Sequence, residues 1–314
     1  MITITRAPPY LTVQDCGRKH ARASGVPPGG AMDTFALQAA NAILGNDADA
    51  AALEWALGGG KIVFEDDCGC AIAGASVRAN VGGRPIAPCT STIARKGEEF
   101  AVEQIESGRF LYLAVSGGID VPVLLGSRST YLPGRFGGLG GRTLKTGDTL
   151  KSADASRALS VAGTHCAAEM IPHYDAGIVH VIPGPQEDLF DDDAWGILCE
   201  SEYRVSTASD RTGYRLEGPA LPKMSAALPS EAGCPGAIQI PGDGLPIVLM
   251  ADAPTIGGYP KMAVVAEADL PILAQRRPGE PIRFERTSVD HSRRALRRRQ
   301  ADLQSIARLA RPAR

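Results

Sequence analysis

The side chains in this sequence that could do chemistry lie in short loops that combine arginine, aspartate, hydroxyl groups and glycine. Residues 14–18, Gln-Asp-Cys-Gly-Arg, join the acid Asp15 to the cation Arg18 through a turn. Residues 127–130, Ser-Arg-Ser-Thr, place three hydroxyl groups around Arg128. Guanidinium groups, hydroxyl groups and backbone N–H groups can together hold a carboxylate, a carbamate or a phosphate. These loops therefore predict sites for anionic ligands.

Three more loops share this composition. They are residues 135–142, with a Gly-Gly pair and two arginines, residues 209–215, with Asp-Arg followed by glycine, and residues 257–261, Gly-Gly-Tyr-Pro-Lys. A lysine beside such a loop can act as a base or stabilise an oxyanion, which makes Lys261 the candidate for that part. The alternative for each loop is structural, with glycine in tight turns and Asp–Arg pairs that tie the loop together. The residues alone leave both interpretations open.

Several familiar catalytic patterns are absent from the sequence. Lys61 follows three glycines but precedes Ile62, so no phosphate-binding Gly-x4-Gly-Lys-Ser/Thr loop exists, and residues 137–141 lack the Gly-x-Gly-x-x-Gly spacing. The sequence contains neither Gly-x-Ser-x-Gly nor His-Glu-x-x-His. The five histidines show no metal-like spacing and the seven cysteines contain no Cys-x-x-Cys. We therefore expect no metal site, and buried free thiols.

Composition and charge narrow the class of protein further. The 314 residues predict about two domains, and 36 glycines with 23 prolines predict many turns and few long helices. The net charge is −2, but residues 286–314 hold nine arginines and two aspartates, which leaves −9 on the other 285 residues. An acidic body is a poor partner for nucleic acid. No apolar run approaches a membrane span and no export signal is present, so the expected location is the cytoplasm.

Short apolar runs separated by glycine, proline or aspartate predict a mainly β fold with minor α content. Strands are expected at residues 61–64, 70–73, 110–115 and 121–125, in the pattern of a barrel or sandwich. A second set is expected at residues 178–182, 237–240 and 246–250, ending in residues 277–284. Residues 121–148 and 245–280 weakly repeat the order of apolar strand, Gly-Gly loop and Gly-acid turn, which suggests a duplicated barrel.

These patterns divide the chain into four predicted parts. Residues 1–152 form a first β unit with one helix near residues 33–44, which Asp33 can cap. Residues 153–175 form a connector, and residues 176–287 form a second β unit. Residues 288–314 form a basic amphipathic helix, in which apolar residues recur every seven positions opposite an arginine-rich face.

The polar loops, taken in order, resemble a known family. The matching segments cover residues 12–285, and each is short, but their order along the chain is specific. They are residues 14–18, 25–33, 40–41, 44–46, 53–54, 116–120, 125–130, 137–138, 141–142, 147–148, 183–186, 209–213, 215–219, 235–239, 255–261 and 275–279. The sequence resembles the biotin-dependent carboxyltransferase family, also called allophanate hydrolase subunit 2 or the KipA-like family. Its members include the C subunit of bacterial 5-oxoprolinase and half of the carboxyltransferase region of urea carboxylase.

The resemblance implies a fold and an activity that spacing alone does not give. It implies that the two β units are cyclophilin-like β-barrel subdomains, ahead of the C-terminal helix that the seven-residue pattern predicts. It implies a subunit of an ATP-dependent 5-oxoprolinase, which opens 5-oxoproline to L-glutamate with a KipI-like subunit and a LamB/YcsF-like subunit. ATP with Mg²⁺ would act at the level of that complex.

Two alternatives stay open beside this interpretation. The first is the carboxyltransferase half of a urea carboxylase-like system, which moves a carboxyl group from biotin to urea or another amide. The sequence has no Met-Lys-Met biotinylation site, so biotin would arrive on a separate carrier. The second is a KipA-type regulator that binds an inhibitor of a histidine kinase.

The family motifs also select the candidate site residues. Lys261, Asp15 and Asp210 are the candidate catalytic residues, with the aspartates orienting arginines or handling protons. The candidate substrate-binding residues are those whose groups can hold an anion or line its loop. They are Arg128, Arg142, Arg211, Arg18, Asp33, Ser127, Ser129, Thr130, Gly137, Gly138, Gly257, Gly258 and Tyr259.

Overall fold

A computed structural model describes residues 1–154, 163–222 and 228–310 of the chain. The chain divides into two compact units. Unit 1 contains Met1–Arg18, Gly29–Pro172 and the chain from Arg299 onward, and unit 2 contains Lys19–Pro28 and His173–Arg298. Part of the predicted connector, residues 155–162, lies outside the described residues, as do residues 311–314 of the predicted helix.

Unit 1 is built on one antiparallel sheet. Its strands are β1 (Ile2–Arg6), β2 (Tyr10–Gln14), β3 (Ala52–Ala56), β4 (Gly60–Phe64), β5 (Cys68–Val81), β6 (Arg84–Pro85), β7 (Thr90–Ala94), β8 (Glu99–Val115), β9 (Ile119–Asp120) and β10 (Thr149–Ser152). The sheet order is β2-β3-β8-β4-β1-β10-β9, and β5 pairs with β6, β7 and β8. Because β8 is long, its end pairs with β3 and its beginning pairs with β4.

The core of unit 1 follows from the alternation of side chains along these strands. In β4, Ile62 and Phe64 are buried while Lys61 and Val63 are partly exposed, as a period of two requires. Trp55 and Phe100 pack edge to face with ring centroids 5.9 Å apart. The buried apolar residues of the sheet thus hold β2 in place, and β2 positions the loop that follows it.

Helix α1 (Thr34–Ile43) packs against this sheet. The Asp33 carboxylate caps it by accepting a hydrogen bond from the backbone N–H of Ala36 at 2.9 Å. The alanine-rich helix is buried on most of its surface, and Gly45 follows it with a φ of 67°. The sequence prediction of a helix near residues 33–44 is confirmed.

Unit 2 contains a closed barrel. Its strands are β11 (Ile178–Pro183), β12 (Tyr203–Val205), β13 (Gly213–Glu217), β14 (Glu231–Ala232), β15 (Ala237–Gln239), β16 (Ile247–Leu249), β17 (Ile256–Gly257), β18 (Lys261–Val265) and β19 (Pro281–Arg286). The barrel order is β11-β18-β15-β16-β13-β12-β19, and a parallel pairing of β11 with β19 closes it. Strands β14 and β17 form a separate two-stranded sheet.

Short helices complete the two units. Helices α2 (Asp192–Glu200) and α3 (Leu270–Ala274) belong to unit 2. Single turns of 3₁₀ helix occur at Arg22–Ser24, Ala168–Met170, Glu187–Leu189 and Glu267–Asp269. The prediction of a mainly β fold with minor α content is confirmed.

The predicted strand at residues 121–125 is wrong. In this segment the structure has one isolated bridge, between Leu124 and Ser127. Pro122 has no backbone N–H to donate to a ladder, and Leu125 adopts a φ of 52°, which turns the chain. The corresponding segment of the second half does form a strand, β16, so the two segments that suggested a duplication differ.

The last described element is α4 (Val289–Leu309), whose residues 299–309 belong to unit 1. Within that unit, Ile306 is fully buried and the Arg299 guanidinium lies 5.8 Å from the centre of the Phe35 ring. Most of its arginines are exposed. Among the described residues, no helix combines the length and the apolar character that a membrane crossing needs.

Candidate functional site

The predicted residues of unit 1 converge on the carboxylate of Asp15, which lies directly after β2. Asp15 is 4% exposed. Its Oδ1 accepts hydrogen bonds from Ser127 Oγ at 2.6 Å and Gly17 N at 2.8 Å, and also from Ser129 Oγ. Its Oδ2 accepts from the backbone N–H of Arg128 at 2.5 Å. Four donors therefore fix this buried charge and join the two loops that the sequence singled out.

Arg18 and Thr130 strengthen the same junction. The Arg18 guanidinium is buried, donates to the Ser129 carbonyl oxygen and lies 4.8 Å from the centre of the Phe136 ring. Thr130 donates through its hydroxyl and its backbone N–H to the Val13 carbonyl oxygen at 3.0 and 2.9 Å. The structure thus brings these predicted residues together as one hydrogen-bonded cluster.

Gly137 and Gly138 lie against this cluster in a left-handed conformation, with φ of 73° and 52°. A Cβ atom on Gly137 would overlap the Ser129 carbonyl oxygen, and one on Gly138 would overlap the Thr130 hydroxyl. The Gly138 N–H donates to the Arg128 carbonyl at 3.0 Å, and the Gly141 N–H donates to the Gly137 carbonyl at 2.8 Å. These two amides are therefore used inside the loop, so the loop does not fit a phosphate held on them.

Arg128 and Arg142 differ in how closely their guanidinium groups are paired with a carboxylate. Arg128 is partly exposed, with Nη2 3.7 Å from Asp120 Oδ1. Arg142 forms two parallel hydrogen bonds with Asp148, at 2.6 and 2.8 Å. That pairing raises the pKa of Arg142 and lowers the pKa of Asp148. The guanidinium of Arg142 thus holds a carboxylate of its own chain.

Asp33 serves the fold in the described structure, as the cap of α1. Its backbone N–H donates to the Tyr112 hydroxyl at 2.9 Å, and that hydroxyl donates to Glu54 Oε2 at 2.6 Å. Burial, followed by the neighbouring charge of Glu54, raises the pKa of Tyr112 well above its ordinary value. Glu54 is fully buried and also accepts from the Met32 N–H at 2.8 Å. Glu54 belongs to one of the family motifs, but it was not among the predicted site residues.

In unit 2, Arg211 pairs with an acid that the sequence analysis did not select. Its guanidinium donates to both oxygens of Asp252, at 2.9 and 3.0 Å, and both side chains are buried. Asp210, the predicted partner, instead accepts from the backbone N–H groups of Thr212 and Gly213 at 2.8 and 3.3 Å. Asp210 therefore shapes a turn, while Asp252 lies opposite the arginine.

Lys261 is the first residue of β18 and is 4% exposed. Its Nζ lies 3.1 Å from Glu231 Oε2, and Gln186 Nε2 donates to the same oxygen at 2.7 Å. Gln186 Oε1 accepts from the Lys261 backbone N–H at 3.1 Å. Hydrogen bonds from Lys261 and Gln186 lower the pKa of Glu231. A buried ammonium is thus held against a carboxylate whose side chain is 43% exposed.

The remaining predicted residues of unit 2 lie beside this group. Gly257 in β17 pairs with Glu231 in β14, and a Cβ on Gly257 would lie 2.9 Å from Gln239 Nε2. Gly258 and Tyr259 precede Lys261 on the chain, and Tyr259 is 51% exposed. An ammonium, two amides and an exposed phenol can together bind a small polar or anionic molecule. Where the chain is described, no group of three or more metal-ligating side chains occurs.

Sequence reasoning missed Gln186, Glu231 and Asp252. Gln186 ends one of the matching motifs, so its place in the family pattern was a usable signal. Glu231 and Asp252 stand 30 and 41 residues from their partners. Nothing in local spacing marks them, because pairing of β14 with β17 brings Glu231 to Lys261, and pairing of β13 with β16 brings Asp252 to Arg211.

The fold and these loops define a mainly β protein of two units, in which buried cations are held by carboxylates from distant parts of the chain. The family described as the carboxyltransferase domain, subdomain A and B, matches residues 24–286, and the chain belongs to it.

Three known proteins illustrate the similarity. The chain is 38% identical to the C subunit of 5-oxoprolinase from Escherichia coli K12, over 98% of both chains. It is 35% identical to the C subunit of 5-oxoprolinase from Haemophilus influenzae, again over 98% of both. The solved structure of Kluyveromyces lactis urea carboxylase superposes with a TM-score of 0.90 at 29% identity. That match covers 97% of this chain but only 29% of the urea carboxylase chain.

Proposed function

We propose that this chain is the C subunit of an ATP-dependent 5-oxoprolinase, which opens 5-oxoproline to L-glutamate. The observation that carries the proposal is the 38% identity to the C subunit of E. coli 5-oxoprolinase over 98% of both chains. Because the match spans both chains almost completely, it supports the same role for the two chains as whole subunits. A match confined to one shared domain would not support this.

The proposal includes partners and a location. A KipI-like subunit and a LamB/YcsF-like subunit would complete the enzyme. ATP with Mg²⁺ would be used by that complex. The Gly138 and Gly141 amides of this chain are engaged within their loop, so they do not serve as phosphate donors. We place the complex in the cytoplasm, because all seven cysteines are free thiols, the state that a reducing compartment maintains.

Within this chain, Lys261 is the proposed catalytic residue. An ammonium held by Glu231 is a positive charge and a hydrogen-bond donor, which suits stabilisation of the oxyanion that forms when a lactam carbonyl is attacked. Tyr259 and the Gly257–Gly258 backbone would line the substrate beside it. In unit 1, Arg128 is the proposed anion-holding cation, because its guanidinium is partly exposed.

The other predicted site roles stay predictions. They share one feature, which is that the described structure already engages their polar groups in hydrogen bonds within the fold. They are the roles of Asp15, Asp210, Arg18, Asp33, Arg142, Arg211, Ser127, Ser129 and Thr130.

Reconstitution tests the proposed function. The full chain is mixed with its KipI-like and LamB/YcsF-like partners, 5-oxoproline, ATP and Mg²⁺, and L-glutamate is measured. We expect glutamate from the complete mixture and none when this chain is left out. A complete, correctly assembled mixture that forms no glutamate would refute the proposal.

The match to urea carboxylase favours a second candidate function. In it the chain would be half of a carboxyltransferase that moves a carboxyl group from biotin, borne on a separate carrier, to urea or another amide. The supporting observation is the TM-score of 0.90 over 97% of this chain. Carboxylated biotin carrier and urea, supplied in place of 5-oxoproline and ATP, separate the two candidates, since only this function consumes the carboxybiotin.

A further inference from the structure

A cavity of about 210 Å³ lies on the outer side of the barrel of unit 2, beside β13 and β16. Its lining combines opposite charges with an apolar wall. Arg215 supplies a cation, Glu217 and Asp243 supply carboxylates, and Ser206 supplies a hydroxyl. Pro246 and Ile247 are part of the apolar lining. It shares no residue with the Lys261 group, so it is a separate candidate site.

Arg215 and Glu217 project from the same face of β13. They are two residues apart on the strand and both are exposed, whereas Leu216 between them is buried. In the described part of the chain neither side chain forms a hydrogen bond or an ion pair. Arg204, which stands opposite Glu217 in the ladder, directs its guanidinium to Glu202 and to the Gly279 carbonyl. Both charges at the cavity are therefore available to a ligand.

The backbone around the cavity holds these groups in place. The Arg215 N–H donates to Ser209 Oγ at 3.0 Å, and its carbonyl accepts from the Ser206 N–H at 2.8 Å. Asp243 Oδ1 accepts from the Leu245 N–H at 3.1 Å. These bonds fix the backbone that carries the charged groups, so a ligand has only their side chains to order.

We propose that this cavity binds a free α-amino acid in its zwitterionic form. The α-carboxylate pairs with the Arg215 guanidinium, whose planar donors match a carboxylate. The α-ammonium lies between the carboxylates of Glu217 and Asp243, and the ligand's side chain packs on Pro246 and Ile247. A cavity of this volume is smaller than the pockets that hold drug-sized ligands, about 300–1,000 Å³, and suits a single amino acid.

One consequence of this site rests on the proposed function: the cavity distinguishes the product of the reaction from its substrate. L-Glutamate carries an ammonium group, whereas the nitrogen of 5-oxoproline is a neutral lactam amide. The cavity therefore selects the product over the substrate of the proposed reaction. Binding itself does not depend on that reaction and is measured on the full chain alone.

Isothermal titration of the full chain with L-glutamate, L-alanine and 5-oxoproline tests the site. We expect both amino acids to bind once per chain at millimolar concentration and 5-oxoproline not to bind. Arg215→Ala and Glu217→Gln should each weaken amino acid binding at least tenfold, because each removes one charged partner. Arg283→Ala, an exposed arginine elsewhere on the barrel, is the matched control and should leave binding unchanged.

Absence of amino acid binding to the wild-type chain would overturn the proposal. So would binding that both variants leave unchanged, or equal binding of 5-oxoproline. Melting curves establish that the variants are folded, as expected for substitutions at exposed positions. A chain that binds amino acids through Arg215 and yet gives no glutamate on reconstitution would support this site and refute the proposed function.

Discussion

The buried cations of this protein differ in whether their acid partners are exposed to solvent. Arg211 and Asp252 are both buried, with side-chain exposures of 9% and 2%, so their charges satisfy each other inside the fold. Lys261 is as buried, but its partner Glu231 reaches solvent. Glu231 can therefore be rehydrated if a ligand takes its place at the ammonium. Of these two buried cations, Lys261 is therefore the one that can exchange its partner for a substrate.

Asp148 allows a test of the pairing that occupies Arg142. Because the pairing lowers the pKa of Asp148, its stabilising contribution is fully present above the ordinary aspartate pKa of about 3.9 and is lost as the pH falls through the lowered value. Asp148→Asn should lower the free energy of unfolding by about 0.5–1 kcal/mol at pH 7, a small value because Arg142 is partly exposed. Urea unfolding of both proteins between about pH 3 and pH 7 should show the difference shrinking toward zero at the acid end.

Glu106→Gln is the control for this experiment, since Glu106 is 47% exposed and lies 3.4 Å from an arginine that is 61% exposed. It should leave the stability nearly unchanged at every pH. A difference for Asp148→Asn that persists undiminished at the acid end would contradict the ion-pair explanation.

Asp33 has two candidate roles, one in the fold and one in substrate binding. As the cap of α1, its carboxylate oxygen is replaced well by the amide oxygen of asparagine and not by alanine. Asp33→Ala should cost about 1 kcal/mol of unfolding free energy, and Asp33→Asn a few tenths. Both should be measured by urea unfolding and, in the reconstituted complex, by glutamate formation.

The activity of Asp33→Asn decides between the two parts. The structural part predicts that this variant keeps near-normal turnover. A loss of turnover with unchanged stability would instead support the predicted role of Asp33 in binding the substrate.

At the scale of elements, the loop containing Gly137 depends on two glycines for different reasons. Gly137 combines a φ of 73° with a Cβ position that overlaps the Ser129 carbonyl, whereas Gly140 has a φ of 68° and nothing within 4 Å. Gly140→Ala should therefore cost only the backbone strain, about 1 kcal/mol. Gly137→Ala should cost about 2–4 kcal/mol, because the loop must also move away from the Asp15 cluster.

Urea unfolding of these two variants tests whether the loop is packed as described. Equal losses of stability for Gly137→Ala and Gly140→Ala would show that the close approach to Ser129 is not an energetic feature of the protein. A larger loss of stability for Gly137→Ala would confirm that packing requires the Gly-Gly motif, independently of any role of the motif in binding.

For the whole molecule, the sequence predicted features that depend on neighbouring residues. Asp33 precedes an alanine-rich run, so the cap and the helix were visible together, and alternation within short apolar runs identified most of the strands tested. Residues 121–125 failed because their apolar composition was weighed more heavily than Pro122 and the unexpected positive φ of Leu125.

The partners of the candidate residues could not be predicted in the same way. Glu231 and Asp252 become partners of Lys261 and Arg211 only after distant strands pair, and Asp15 meets Ser127 from 112 residues away. Composition identified the loops that carry polar groups. It did not distinguish the cations that are neutralised within the fold from those available to a ligand, because that depends on long-range pairing.

The variant Lys261→Met tests the proposed catalytic role of Lys261. It is measured in the assembled complex, because turnover is expected there. Removing the ammonium removes the proposed oxyanion partner, so kcat should fall about 10²–10³-fold. The fold should survive, since methionine fills a similar volume and Glu231, with a side chain 43% exposed, can be hydrated by solvent. Lys61→Met is the control for removing a paired lysine outside the site, because Lys61 pairs with Glu99 at 2.5 Å in unit 1 and its side chain is 41% exposed. Co-elution with the partner proteins confirms assembly of both variants, and an assembled Lys261→Met complex with the kcat of the control would exclude Lys261 from the chemistry.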